Sequence, residues 1–283
     1  MTYETILSVE DLRRLIGDAA DVLVIDCEFD LGDPDRGRTI YRESHLPGAR
    51  YLDLERDLSG EVTGTNGRHP LPARTAFAAT MRGLGLKAGQ QVVIYDGNGG
   101  IYAARAWWML RWLGHAAVAV LDGGRPAWVA AGLPVEGGEP RAAREGDFAM
   151  VEPLVGLPVT ADRLVENLAG GALQVIDARD AQRFAGAAHP LDTVSGHIPG
   201  ASNRFYRDNL DEAGRFRPAG ELAEAFVAAL AGSPSEQAVL QCGSGVTACH
   251  NALAMEIAGL KGARLYPGSW SEWVSDPLRP VAR

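Results

Sequence analysis

The stretch from Gln241 to Cys249, QCGSGVTAC, places a thiol between the short apolar run AVLQ and a segment of helical character, TACHNALAMEIAGL. A cysteine at such a turn faces backbone N–H groups and the positive end of a helix dipole, and both favour its anion. An ordinary thiol, with a pKa near 8.5, is only about 3% thiolate at neutral pH. Lowering that pKa by roughly two units makes most of it nucleophilic, for roughly 2.7 kcal/mol. Gly243 and Gly245 permit the tight turn that points successive N–H groups inward. The same ring of amides suits a negatively charged sulfur attached to Cys242, a persulfide, as well as a thiolate. The plain alternative is a small buried residue in a strand-to-helix turn.

The other cysteines, Cys27 and Cys249, make three in all, with no C-x-x-C. Beside Cys249 and His250 no further Cys or His stands at metal-ligand spacing. The pattern therefore predicts no disulfide framework, no metal and no cofactor, and Cys27 and Cys249 read as core residues. The segment DGNGG (96–100) lacks the G-K-[ST] of a phosphate loop. A net charge of −9 argues against a nucleic-acid surface, so an anionic substrate needs a local arrangement to attract it. No apolar run approaches the roughly 18 residues of a membrane span. The first residues, MTYETILSVEDLRRL, lack a basic stretch followed by an apolar one, so the expectation is a cytoplasmic protein without a membrane partner.

The elements that must position Cys242 occur twice. DVLVIDCEFD (21–30) matches ALQVIDARDA (172–181), SHLPGARY (44–51) matches GHIPGASN (196–203), QQVVIYDGNGGIYAARA (90–106) matches QAVLQCGSGVTACHNA (237–252), and VAVLDGGRPAW (118–128) matches ARLYPGSWSEW (263–273). Four ordered matches, offset by 145 to 152 residues, predict a tandem duplication of one α/β unit. Strand runs alternate with helical stretches such as ARAWWMLRWLG and LAEAFVAALAG, which predicts in each copy a mostly parallel sheet flanked by helices. The reading divides the chain into an N-terminal unit (1–135), a linker (136–158) and a C-terminal catalytic unit (159–283). Ligands on such sheets bind outside the carboxyl ends of strands. Cys242 occupies that place in the second copy; the first copy has Asp96 there, so one thiol site per chain is expected. His45 and His197, in the repeated H-[LI]-P-G-A, read as turn residues, and Trp270 and Trp273 as core, with Trp270 near the pocket.

The tandem repeat, the GHIPGA segment and above all CGSGVTA resemble the two-domain rhodanese superfamily, and the loop is similar to its 3-mercaptopyruvate sulfurtransferase branch. A phosphatase loop of the C-x5-R type would require arginine where Ala248 stands. The resemblance implies a non-catalytic first domain and a Cys242 that carries sulfur as a persulfide, with Gly243, Gly245, Val246 and Thr247 around the substrate. It implies that Ser244 works with His69 of GRHPLP and with an acid of YLDLERD, Glu55, or Asp53 as the alternative. Taken by themselves, His69 is a loop residue beside prolines and Glu55 a solvated charge. Arg183 of DAQRFAG matches a carboxylate-binding arginine; the second such arginine, expected within 187–197, is absent. Arg105 either compensates for it in part or is a solvent-facing helix residue. The loop bears no charged side chain, which suits a donor with a neutral thiol end better than dianionic thiosulfate. The implied activity is sulfur transfer from a small-molecule donor, 3-mercaptopyruvate, to a thiol, thioredoxin or cyanide. The alternatives are thiosulfate as donor, or a persulfide carrier or sensor that turns over no small donor.

Overall fold

Strands covered on both faces are read from near-continuous β-branched runs rather than from alternation. VLVID and QVVIY become the centre of one sheet, QVID and AVLQ the centre of another. The structure, a computed structural model, describes residues 2–18, 20–140 and 142–283. It divides into two units. The first comprises Met1–Gly60, Pro72–Leu154 and Glu212–Arg215; the second comprises Glu61–Leu71, Val155–Asp211 and Phe216–Arg283.

In the first unit β1 (Ile6–Leu7), β2 (Val22–Asp26), β3 (Arg50–Tyr51), β4 (Gln91–Tyr95) and β5 (Val118–Leu121) form a parallel sheet in the order β1-β5-β4-β2-β3. Helices α1 (Val9–Gly17), α2 (Arg36–Glu43), α3 (Arg74–Gly83), α4 (Ile101–Trp112) and α5 (Gly124–Ala130) connect and cover the strands. Ser8 starts α1 by accepting the Asp11 N–H on its hydroxyl, at 3.1 Å. Helix α4 is apolar on nearly every side and buried from Tyr102 to Trp112. The strands β2 and β4 pair from Val22 opposite Gln91 to Asp26 opposite Tyr95, so Asp96 leaves the sheet beside the end of β2.

The second unit repeats the plan with four parallel strands, β6 (Gln174–Asp177), β7 (Ser202–Asn203), β8 (Ala238–Gln241) and β9 (Arg264–Leu265), in the order β7-β6-β8-β9. Its helices are α6 (Ala161–Asn167), α7 (Ala181–Phe184), α8 (Ala219–Leu230), α9 (Thr247–Ile257) and α10 (Ser269–Trp273). Asp177 ends opposite Gln241, so Cys242 leaves this sheet where Asp96 leaves the other. Trp270 and Trp273 are fully buried in the core with Val175, Ile198 and Val239. The repeated histidines do one job twice. His45 stacks on Tyr41 with Nδ1 2.6 Å from the Tyr41 carbonyl, and His197 stacks on Phe184 with Nδ1 2.8 Å from the Phe184 carbonyl.

The units apportion the chain differently from cuts at 135 and 159. The stretch up to Leu154 belongs to the first unit, where Gly146, Phe148 and Val151 donate backbone N–H groups to the carbonyls of Arg82, Leu86 and Leu113. Residues 61–71 belong to the second unit. There Gly67, at φ +85°, passes so close to Gly268 that a Cβ would stand 2.6 Å from its carbonyl oxygen, and the Arg68 N–H donates to Ser271 Oγ at 3.1 Å. Among the described residues no helix is long and apolar enough to cross a membrane.

Candidate active site

The Cys242 loop is pinned by the residues that open α10. The Cys242 N–H donates to Ser269 Oγ (3.1 Å), the Trp270 N–H to the Cys242 carbonyl (3.0 Å) and the Ser271 N–H to the Gly243 carbonyl (3.0 Å). Gly245 lies at φ +80°, where a Cβ would run into the Pro267 carbonyl, so only glycine fits. Its N–H points back at Cys242 Sγ, 3.1 Å away. The thiol is 2% exposed, directly before the first turn of α9, which Thr247 opens behind buried Val246. Cys249 is fully buried and donates its S–H to the Gly245 carbonyl at 3.4 Å. Cys27 lies in the first unit, where burial, reinforced by the nearby acids Asp26 and Asp96, pushes its thiol well above the ordinary range.

Ser269 was not legible as a site residue, yet the repeat contains a signal for it. Its backbone is left-handed, φ +54°, which costs a non-glycine residue roughly 1–2 kcal/mol. The corresponding residue of the first copy is Gly124, φ +55°. The second copy keeps the strained backbone but adds a hydroxyl, which donates to the Tyr266 carbonyl at 2.9 Å and accepts the Cys242 N–H.

Ser244 and His69 meet within the second unit: Oγ and Nδ1 are 2.8 Å apart, and both residues are buried. With Nδ1 unprotonated the hydroxyl donates to the ring, an arrangement able to pass a proton. The two acids nominated beside them lie in the first unit. Glu55 is exposed; Asp53 is buried, and its Oδ1 accepts the N–H groups of Glu55 and Arg56 at 2.9 and 3.1 Å. Arg105 is fully buried in α4, with Nη2 donating to the Leu58 carbonyl at 3.2 Å. The solvent-facing alternative for Arg105 is thereby corrected, because α4 is buried from Tyr102 to Trp112.

The loop is uncharged, but the space against it is not. Arg183 Nη2 and Arg68 Nη2 lie 3.2 and 2.9 Å from the point where a Cβ on Gly243 would stand. Arg183 also holds Asp192, Nε to Oδ2 at 2.9 Å and Nη2 to Oδ1 at 2.8 Å. Burial works against the Arg183 charge, but the hydrogen bonds and charge of Asp192 outweigh it and keep the guanidinium above its usual pKa. Asp192 is displaced the other way: burial opposes its ionisation, and Arg183, Arg179 and Arg68 together hold it below the ordinary carboxylate value. Arg179, buried, lies over the Trp270 ring at 4.6 Å and pairs edge-on with Asp177, Nη2 to Oδ2 at 2.7 Å. Sequence reasoning missed Arg68 and Asp192; the search of 187–197 was for an arginine, and an acid stands there.

The first copy has a carboxylate where the second has the thiol. The carboxylate of Asp96 accepts four backbone N–H groups, from Asn98 and Gly100 on Oδ1 (both 2.8 Å) and from Tyr102 and Ala103 on Oδ2 (2.8 and 3.0 Å). The Asp96 carbonyl accepts the Arg125 N–H at 3.0 Å, as the Cys242 carbonyl accepts that of Trp270. The two loops leave their sheets at the same place, with a carboxylate in one copy and a thiol in the other, but they differ in detail: the amide on Cys242 Sγ is that of Gly245, and the residue before the helix is left-handed in the first copy (Gly100, φ +87°) and right-handed in the second (Val246, φ −87°). Among the described residues no cluster of His, Cys, Asp and Glu is arranged to hold a metal ion.

The rhodanese-like domain family matches residues 8–131 and again residues 160–276. A Pseudomonas aeruginosa protein named "probable 3-mercaptopyruvate sulfurtransferase" is 47% identical over 284 residues, covering 100% of this chain and 99% of its own. The thiosulfate/3-mercaptopyruvate sulfurtransferase 2 of Arabidopsis thaliana is 36% identical over 302 residues, 99% of this chain and 87% of that one. The solved structure of 3-mercaptopyruvate sulfurtransferase from Leishmania major superposes with a TM-score of 0.81 at 31% identity, covering 98% of this chain and 75% of that one.

Proposed function

Because the chain belongs to the rhodanese-like family, with one copy of the domain in each half, we propose that it is a sulfurtransferase that draws sulfur from 3-mercaptopyruvate onto Cys242. The observation that carries this reading is the loop pair. Asp96 places its carboxylate oxygens one bond beyond Cγ, and four amides hold them. On Cys242 a second sulfur bound to Sγ extends one bond beyond the Cγ-like position, so the persulfide anion takes the place of those oxygens. The Gly245 amide, already aimed at Sγ, and the first turn of α9 stabilise the anion.

In the first half-reaction the Cys242 thiolate attacks the donor sulfur. An S–S bond forms, the C–S bond breaks, and its electron pair leaves on the pyruvate enolate. The donor's thiol proton passes through Ser244 and His69 and ends on the enolate carbon, leaving pyruvate and a Cys242 persulfide anion. Arg183 turns its remaining N–H groups toward the donor carboxylate. In the second half-reaction a thiol, thioredoxin or cyanide attacks the outer sulfur and the Cys242 thiolate departs; with cyanide the product is thiocyanate. The cycle is covalent catalysis, and ping-pong kinetics follow.

A second donor has an observation in its favour. Arg68 stands against the loop with no carboxylate bonded to it among the described residues, and thiosulfate, which would load the same sulfur and release sulfite, is an anion that it attracts. Intact mass after incubation with each donor, followed by thiocyanate release on adding cyanide, tests the whole reading. One added sulfur, discharged by cyanide, is expected with 3-mercaptopyruvate. No added sulfur from either donor overturns it.

A further inference from the structure

Three guanidinium groups gather in the second unit, and their partners differ. Arg179 pairs with Asp177, reaches Asp192 at 3.4 Å and donates to the Gly196 carbonyl at 2.8 Å. Arg183 holds Asp192 in the two-point pairing already described. Asp180, half-buried, uses Oδ1 to accept the Arg183 backbone N–H at 2.9 Å. Arg68 is different. Its Nη1 donates to the Leu191 carbonyl at 2.7 Å, and among the described residues no carboxylate pairs with it.

That cation is nevertheless half-buried, and burial, only partly offset by the sulfur of Cys242 and the charge of Asp192, holds its pKa below the usual arginine value. A half-buried guanidinium with a carboxylate nearby but none bonded to it leaves N–H groups that a bound anion can satisfy. There is room for one. Arg68 and Asp192 line a cavity of about 350 Å³ with Leu191, Thr193, Trp270 and Ser271, within the size range of small-molecule sites. Nη2 of Arg68 stands 2.9 Å from where a Cβ on Gly243, the residue after Cys242, would be.

We infer that Arg68 is the second cation of the donor site, and that Asp192, by occupying Arg183 and Arg179, limits that site to donors carrying a single negative charge. The inference rests on the sulfurtransferase reading and adds to it a specificity mechanism: the absent arginine of 187–197 is replaced from residues 61–71, while the acid at 192 keeps the cluster from accumulating excess positive charge. A monoanionic 2-oxo acid finds its match in Arg68. A dianion such as thiosulfate is left with one charge unmatched, which disfavours it in a half-buried site.

The test uses the full chain with Arg68→Gln, Arg68→Lys and Asp192→Asn, following sulfur loading from 3-mercaptopyruvate and from thiosulfate. Arg68→Gln is expected to raise KM for 3-mercaptopyruvate at least about tenfold while kcat stays within about threefold, the mark of lost donor binding. Arg68→Lys restores part of the loss. Asp192→Asn, which frees the Arg183 fork, is expected to raise the thiosulfate to 3-mercaptopyruvate ratio of kcat/KM at least about tenfold. Should that variant not fold, competition in the wild type reads the same property: pyruvate should inhibit at lower concentration than sulfate. An Arg68→Gln enzyme with unchanged KM, or with kcat alone reduced, overturns the role of Arg68. An unchanged donor ratio in folded Asp192→Asn, or sulfate inhibiting better than pyruvate, overturns the charge limit. A wild type that loads from neither donor removes the underlying function and this inference with it.

Discussion

Nδ1 of His69 stands 2.8 Å from Oγ of Ser244, across 175 positions of sequence. In the proposed reaction the pair handles a proton, and only one of the two donors has a thiol proton to move. Ser244→Ala and His69→Ala should therefore lower turnover with 3-mercaptopyruvate by about a hundredfold, the lower end of general acid–base contributions, and affect thiosulfate by less than about threefold. Steady-state kcat for both donors decides it; equal losses would make the pair structural. Exposed Glu55 is expected to be dispensable, with Glu55→Gln keeping turnover within about twofold on the same scale.

Cys242→Ser should abolish sulfur loading while leaving the fold intact. Cys27→Ser and Cys249→Ser should keep most of it, because Cys27 belongs to the first unit and the Cys249 S–H is bonded to the Gly245 carbonyl. Peptide mapping of the loaded protein should find the added sulfur on Cys242, and sulfur on Cys249 would overturn the assignment.

Ser269 carries backbone strain in exchange for a bond to the Cys242 N–H. Ser269→Ala keeps the left-handed strain and orphans a buried N–H, so a loss of about 1–3 kcal/mol is expected. Ser269→Gly loses the same bond but removes the strain, recovering roughly 1–2 kcal/mol. Chemical denaturation should rank glycine above alanine; the opposite order would show that the backbone at 269 is not strained.

Burial at the end of β2 pushes the Asp26 carboxyl up to about 7, although its Oδ1 accepts the Glu28 N–H at 2.7 Å. Between the unfolded value near 4 and the folded value near 7, the folded state holds a proton that the unfolded state has released. The contribution to stability is therefore full below about pH 4, falls as pH rises and levels off above about 7. Asp26→Asn should remove this dependence, so its melting temperature relative to wild type should climb across that window. A difference that stays constant with pH would contradict it.

The strands were readable because both sheets are covered on two faces, which leaves unbroken β-branched runs such as VLVID. Cys242 stood out by its strand-loop-helix setting, while Ser244 and His69 were nominated by resemblance to the family's segments, and the structure brings those two together. Arg68 was not, although it adjoins His69: nothing in the pattern GRHPLP tells which neighbouring side chain turns toward a loop some 175 positions away. Arg105 was misjudged as potentially solvent-facing because an arginine in a helix ordinarily marks the outer face, and α4 has none. The segment up to Leu154 lacked any hydrophobic period because it is held by backbone N–H groups on the carbonyls of Arg82, Leu86 and Leu113, bonds that side-chain patterns do not encode.

The eleven residues 61–71 come from the first copy in sequence and fold with the second. A gene shortened to the carboxy-terminal half would therefore encode the nucleophile without its imidazole neighbour or Arg68. The half that has Asp96 in place of a thiol thus supplies side chains to the unit that has Cys242.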